Sequence, residues 1–178
     1  SVLEPIVKAV LVADERNPWL EEVLNGLAAQ DHKKIEFLLL LMGNGKTNSD
    51  IDDLIKRIIP ASKIIRTAKT TNYPLLANVV LRDELAASRE SFFLFLKDDL
   101  ILDATCVRRM VELAVESNAG IVGPKVLDGE NPSQLEDMGS VLDNYYSPVG
   151  RTEKGENDQG QHDGKEISAA PESAMLIR

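Results

Sequence analysis

The chain has 178 residues, 43% of them hydrophobic, a single cysteine and a formal net charge of −9. That length holds one domain with a core of its own, and the acidic balance disfavours nucleic-acid backbones and anionic lipid surfaces as broad partners. With Cys106 alone no disulfide forms within the chain, and no apolar stretch approaches the roughly 18–20 residues that cross a bilayer.

The start, Ser1 to Lys8, has no basic segment leading into an apolar one, so an untargeted chain in a reducing cytoplasm is expected. Val7–Val12 is apolar and β-branched and runs into Asp14-Glu15-Arg16-Asn17, which predicts a strand and then a loop. Asn17 followed by Pro18 predicts a helix start, and Leu20, Val23, Leu24 and Leu27 recur at helical spacing toward Gln30. His32, beside Lys33 and Lys34, reads as a surface residue. Ile35–Met42 is a second strand, stopped by Gly43-Asn44-Gly45, a group that turns sharply. Ser49 with Asp52 predicts a capped helix whose apolar face is Ile51, Leu54, Ile55 and Ile58. Lys63–Arg66 is a short third strand, and Pro74–Ala87 a helix with Leu75, Leu76, Val79, Val80 and Leu85 in periodic places.

The most pointed segment follows. Phe92-Phe93-Leu94-Phe95-Leu96-Lys97-Asp98-Asp99 is an apolar run that ends in two adjacent carboxylates. A run of that kind predicts a buried central strand, which puts the carboxylates at its C-terminal edge, where open α/β sheets bind ligands. A helix from about Asp103 to Ser117 takes Asp103 as its cap, which leaves the Asp98-Asp99 pair without a structural task. Ile121-Val122 is a further strand closed by Gly123-Pro124. Gly129–Gly139 and Tyr145–Asp163 read as long loops, with strand character returning at Glu166–Ala169 and Ala174–Ile177. Alternating strands and helices predict an α/β fold, with a mostly parallel central sheet flanked by helices and joined by right-handed crossovers. The apolar end at Ala174–Arg178 reads as a cut, so the chain is expected to be a fragment of a longer protein.

Asp98 and Asp99 offer hard oxygen ligands. Mg²⁺ or Mn²⁺ commonly needs only one or two protein carboxylates plus the phosphates of a substrate, and held there it would stabilise a departing diphosphate. The plainer alternative is that the pair merely ends a strand or meets a helix N-terminus. Cys106, without a second ligand at metal spacing, is expected to be a buried or half-buried thiol. Tyr145 and Tyr146 either stack on a sugar or pack under a loop. Gly43-Asn44-Gly45-Lys46 lacks the full Walker spacing of a phosphate loop.

Several of these segments, taken in order, resemble a family 2 glycosyltransferase of the GT-A fold, which is Rossmann-like. They are Val10-Leu11-Val12, Trp19-Leu20-Glu21-Glu22-Val23-Leu24, Asn44-Gly45, Phe93 to Asp99, and Gly120-Ile121-Val122-Gly123-Pro124-Lys125. Ser117 to Lys125 and Asp158-Gln159-Gly160-Gln161-His162-Asp163 are similar to the actinobacterial cell-envelope type. The resemblance covers nearly the whole chain and implies a single nucleotide-sugar-binding domain over residues 1–178. It implies a metal-dependent, inverting transfer of a sugar from a nucleotide diphosphate to a cell-envelope glycan or lipid-linked acceptor, with Mg²⁺ or Mn²⁺ as cofactor.

Carried over, the family's Asp-X-Asp motif places its first Asp on Lys97 and its last on Asp99, so Asp99 inherits the metal and Asp98 the middle position. Gly43 stands where the family has an Asp that hydrogen-bonds the nucleobase, and Asp14 or Glu15 would compensate. Ala13, Asp14 and Glu15 line the base and ribose pocket by the same resemblance, or form a solvated loop. Asn44 falls in the motif after the second strand. Asn78 touches the donor from below or faces solvent, and His162 with Asp163 lies on the acceptor side or in a solvated loop. The catalytic base belongs to an acidic pair beyond Arg178, so this fragment is expected to be inactive alone, with any membrane association supplied by segments outside it. Gly43 and Lys97 also raise the alternative of a degenerate, non-catalytic GT-A module that binds or scaffolds. A nucleotidyltransferase of related topology would need a Gly-rich basic loop after the first strand, for which Asp14-Glu15-Arg16 is a poor substitute.

Overall fold

The computed structural model describes residues 4–68, 78, 82 and 91–178. Its strands are β1 (Ile6–Asp14), β2 (Ile35–Gly43), β3 (Lys63–Ala68), β4 (Ser91–Lys97), β5 (Ile121–Val122), β6 (Val126–Leu127), β7 (Leu135–Asp137), β8 (Ser140–Leu142), β9 (Pro148–Gly150) and β10 (Ala174–Ile177). The helices used below are α1 (Leu20–Ala28), α2 (Ser49–Ile58) and α3 (Cys106–Ser117).

Six strands form one sheet in the order β3-β2-β1-β4-β10-β5. β1, β2, β3 and β4 run parallel, whereas β10 is antiparallel to both β4 and β5. The apolar runs are long because these central strands are covered on both faces. One face buries Leu11, Ala13, Leu39, Leu41, Leu94 and Leu96 against Leu24, Leu27, Ile55, Val107 and Val111 of the helices. The other buries Val10, Val12, Leu38, Leu40, Phe93 and Phe95, with the Phe93 and Phe95 rings stacked at 6.5 Å. In register Asp14 pairs with Met42 and Val12 with Lys97, so β1, β2 and β4 end at nearly one level. That common edge is the platform for the site.

The mostly parallel α/β sheet is the predicted fold, but the helix starts shift. Asn17 spends its Oδ1 on the Trp19 amide at 2.9 Å and its Nδ2 on Asp98, so α1 begins at Leu20 rather than at Pro18, and it stops at Ala28. Asn48, not Ser49, caps α2, accepting from the Ile51 amide at 3.5 Å. Asp103 accepts from the Thr105 amide and hydroxyl at 2.9 and 2.6 Å, a local turn that delays α3 to Cys106. Such short polar side chains compete with helical hydrogen bonding by binding their own backbone.

Other expectations are corrected or refined. Glu166–Ala169 forms no strand; Ala169 makes only an isolated bridge to Ser140. The two long loops carry short hairpins, β6 with β7 and β8 with β9. His32 is not a surface residue: only 4% exposed, its Nε2 lies 2.9 Å from the Pro5 carbonyl oxygen and its Nδ1 3.1 Å from Glu4. Tyr145 and Tyr146 do not pack under a loop but project from the β8–β9 turn into solvent. The helix expected at Pro74–Ala87 lies outside the described residues except at Asn78 and Arg82, both helical and exposed.

Candidate functional site

The first two parallel strands end in short polar segments, and the side chains there are tied to one another. Ala13 is fully buried at the end of β1. The next residue, Asp14, donates its amide to Asp98 Oδ2 at 2.9 Å, while its own carboxylate accepts from the Arg16 amide at 2.9 Å and from the guanidinium at 3.3 Å. Through that hydrogen bond and the Asp14 charge, Arg16 is raised above the ordinary arginine value. Asp98 also accepts from Asn17 Nδ2 at 2.9 Å, and its carbonyl oxygen takes the same Nδ2 at 2.7 Å. The Asp98-Asp99 pair therefore has a structural task after all: Asp98 fastens the β1–α1 loop to the end of β4.

Asp99 lies beside it but is exposed, with Oδ2 accepting from the Ser173 hydroxyl at 3.1 Å. Lys97 pairs with Glu172, whose carboxylate it holds below the usual glutamate range, and its amide donates to the Ser173 carbonyl at 2.9 Å. Glu172 and Ser173 escaped the sequence reading because they become site residues only when β10 inserts antiparallel beside β4. Among the described residues no group of three or more His, Cys, Asp or Glu side chains is placed to hold a metal.

On the other side of β1, Glu15 extends the ladder by donating its amide to the Met42 carbonyl at 3.0 Å, and its side chain folds over Gly43. A Cβ built on Gly43 would stand 2.3 Å from Glu15 Oε2 and 2.8 Å from its Cδ, so no side chain fits there unless the carboxylate moves. Arg66 of β3 holds Glu15 by donating Nε to Oε1 at 3.1 Å, and its other end is paired with Asp52 of α2. The hydrogen bond that Arg66 donates to Asp52 is the main reason it stays above the ordinary arginine value, against the opposing effect of burial. A cavity of about 370 Å³ opens here, lined by Glu15, Arg16, Gly43, Asn44 and Asn48. Asn44 is exposed and accepts the Lys46 amide at 2.8 Å, across the positive φ of Gly45.

His162 and Asp163 belong to a separate cluster. His162 Nε2 lies 2.7 Å from Glu156 Oε1, so this histidine is partnered rather than solvated. Lys125 bridges Asp158 at 2.8 Å and Asp163 at 3.2 Å, and the Asp158 contact is the leading cause of its raised pKa. Among the described residues no hydrogen bond or ion pair links this cluster to the strand ends. The structure thus gathers Ala13, Asp14, Glu15, Gly43, Asn44, Lys97, Asp98 and Asp99 along one edge and places His162 and Asp163 apart.

No protein-family model matches the chain, and no curated protein matches it. Its fold does match solved structures. The mannosyltransferase PcManGT of Pyrobaculum calidifontis, solved with GDP-Man and Mn²⁺, aligns at TM-score 0.53 and 15% identity over 73% of this chain and 38% of its own. TarS of S. aureus aligns at 0.52 and 15% identity over 76% of this chain and 41% of its own. A 4-diphosphocytidyl-2C-methyl-D-erythritol synthase aligns at 0.50 and 15% identity, covering 76% and 70% respectively. The chain spans well under half the length of the first two. At this identity the likeness establishes the fold: the chain has the α/β architecture of GT-A-like glycosyltransferases and nucleotidyltransferases.

Proposed function

We propose that this chain is the donor-binding part of a nucleotide-sugar-dependent glycosyltransferase, family 2-like and of the cell-envelope type. The observation that carries the reading is the strand-end edge itself. An exposed carboxylate, Asp99, and an ammonium, Lys97, end β4 on one side of β1, and a cavity lined by Glu15, Arg16, Gly43, Asn44 and Asn48 opens on the other. Parallel α/β sheets bind ligands at that edge. The neighbour solved with a nucleotide sugar and Mn²⁺ supports the same class of donor.

In this reading Asp99 holds Mg²⁺ or Mn²⁺ against the donor diphosphate, which supplies Lewis-acid stabilisation of the leaving phosphate. Lys97, released from Glu172, adds a point charge to the same phosphates. Asp98 contributes by holding Asp14 and Asn17 in place, while Ala13, Asp14, Glu15, Gly43 and Asn44 wall the nucleoside end, with Asn78 below the donor. His162 and Asp163 face the acceptor, a glycan or lipid-linked sugar, and an inverting transfer takes its general base from beyond Arg178. Among the described residues no helix is long and apolar enough to cross a membrane.

Titration calorimetry with uridine and guanosine diphosphates, in Mn²⁺ and in a chelator, tests this. Binding that needs the cation and is lost in Asp99→Ala is expected; equal heats for both proteins refute the metal role. A second reading, a non-catalytic GT-A module, is favoured by Gly43 and by the Lys97–Glu172 pair at a position where the resemblance implies a carboxylate. Sugar transfer or donor hydrolysis by a form of the protein extended past Arg178 would refute that second reading.

A further inference from the structure

The segment that leads into β10 crosses the site edge before the strand begins. The β10–β4 ladder pairs Ala174 with Leu96, and one step further out the Lys97 amide donates to the Ser173 carbonyl at 2.9 Å, so residues 171–173 run on past the end of β4. Pro171 pins this segment. It is buried, and a Cβ built on Gly123 would stand 2.5 Å from Pro171 Cδ and 3.1 Å from the Ala170 Cβ. The two residues after the pin then meet the two charged side chains of the edge. Glu172 pairs with Lys97, and the Ser173 hydroxyl donates to Asp99 Oδ2 at 3.1 Å.

Both contacts imitate a ligand. A carboxylate on an ammonium stands in for a phosphate oxygen, an anionic acceptor on the same donor, and a hydroxyl on Asp99 takes up an oxygen that a divalent cation would use. The Glu172 side chain is 84% exposed, so it can turn out into water without loss of packing while Pro171 stays in place. We propose that Glu172 and Ser173 act as an internal ligand, holding Lys97 and Asp99 until the phosphates and the cation of a nucleotide diphosphate displace them. The protein thereby restrains its own site, and each diphosphate that binds has first moved a carboxylate aside. An exposed ion pair is worth little, so the restraint lowers affinity without closing the site. The inference rests on the nucleotide-sugar reading of the same edge and adds to it a built-in competitor.

The test is titration of UDP and GDP into the 178-residue chain in Mn²⁺, with thermal melts confirming that each variant is folded. Glu172→Gln should tighten binding by about 2- to 5-fold, the worth of one exposed ion pair. Ser173→Ala should lower the Mn²⁺ concentration that half-saturates binding by about 2- to 5-fold, the worth of one modest hydrogen bond. Loss of any negative charge also favours an anion, so the decisive comparison is made in Lys97→Gln, where adding Glu172→Gln should gain less than about 1.5-fold. Binding seen in Glu172→Gln and not in wild type supports the same competition. Unchanged or weaker binding by Glu172→Gln, an equal gain in the Lys97→Gln background, or a higher Mn²⁺ requirement in Ser173→Ala overturns the internal ligand and leaves the donor reading standing. No binding of either diphosphate by any of these proteins overturns both.

Discussion

Asp98 and Asp99 are adjacent carboxylates with opposite structural situations, and exchanging them one at a time separates a strut from a ligand. Asp98 Oδ2 accepts two hydrogen bonds, from the Asp14 amide and Asn17 Nδ2, both at 2.9 Å and both partly shielded from water. Hydrogen bonds to a charged group are worth about 1.5–3 kcal/mol each, and the shared acceptor and partial exposure keep the sum below twice that. Asp98→Ala also strands the Asp14 N–H, so a loss of about 3 kcal/mol is expected, which for a chain of this size lowers Tm by about 6–12 °C. Asp98→Asn keeps one acceptor oxygen and should lose about 1 kcal/mol. Asp99 is exposed and, among the described residues, is bonded only to the Ser173 hydroxyl, so Asp99→Ala should stay within about 0.5 kcal/mol of wild type. Calorimetric or fluorescence melts at neutral pH provide the comparison, and a double-mutant cycle with Asn17→Ala isolates the Asp98–Asn17 term. Equal melting of Asp98→Ala and wild type, or equal loss from Asp98→Ala and Asp99→Ala, would refute the assignment of the strut.

Further predictions follow from the core, the Glu156 loop and the thiol. Leu94→Ala empties a fully buried site in β4 between β1 and β10 and should destabilise by about 3–4 kcal/mol, read from urea unfolding; a loss under 1 kcal/mol would show that β4 is not at the centre of the sheet. Glu156 is held down to about 2, first by the Gln161 side chain, then by the Glu153 amide and His162. A carboxyl depressed on folding stabilises above its ordinary value of 4.5 and loses that contribution as pH falls toward 2. The His162 ring signals should therefore shift over that window in NMR, and Glu156→Gln should abolish the shift. Burial pushes the Cys106 thiol up to about 11. At pH 8 it should react with a disulfide reagent at least 100-fold more slowly in the native than in the unfolded protein, and rapid native labelling would contradict the burial.

The six strands of the large sheet and their order along the chain were legible because apolar runs such as Ile35–Met42 and Phe92–Leu96 have no other use in a chain of this size, whereas the short hairpin strands β6–β9 lack such runs. The helix starts were less so. Asn17, Asn48 and Asp103 all carry the right chemistry for a cap, but which backbone amide each satisfies depends on the turn geometry, and Asn17 is further claimed by a strand end 81 residues away. The carboxylate pair falls just past the C-terminal end of β4, as the apolar run before it led one to expect, yet its split into one fastened and one exposed group required the β1–β4 pairing. The resemblance offered Asp14 or Glu15 as the residue that makes up for Gly43, but that it is the Glu15 carboxylate that lies over the glycine follows only from the folded strand ends. His32 looked solvent-facing because of Lys33 and Lys34, whereas its burial comes from Glu4 and Pro5 at the far end of the preceding strand.

The insertion of β10 between β4 and β5 has a consequence for how the molecule comes to be. Ala174–Ile177 pairs with Phe93–Leu96, about eighty positions earlier, so the middle of the sheet closes only after residues 123–173 have made their excursion and returned. Contacts of such separation slow folding, because the chain entropy of a long loop is lost before the pairing rewards it. On a ribosome, β1, β2, β3 and β4 emerge first, and β4 waits with an open edge of Phe92, Phe93, Leu94, Phe95 and Leu96 until the last strand arrives. That edge is open to pairing with another copy until β10 covers it, which makes β10 a protector of the nascent chain as well as a part of the sheet.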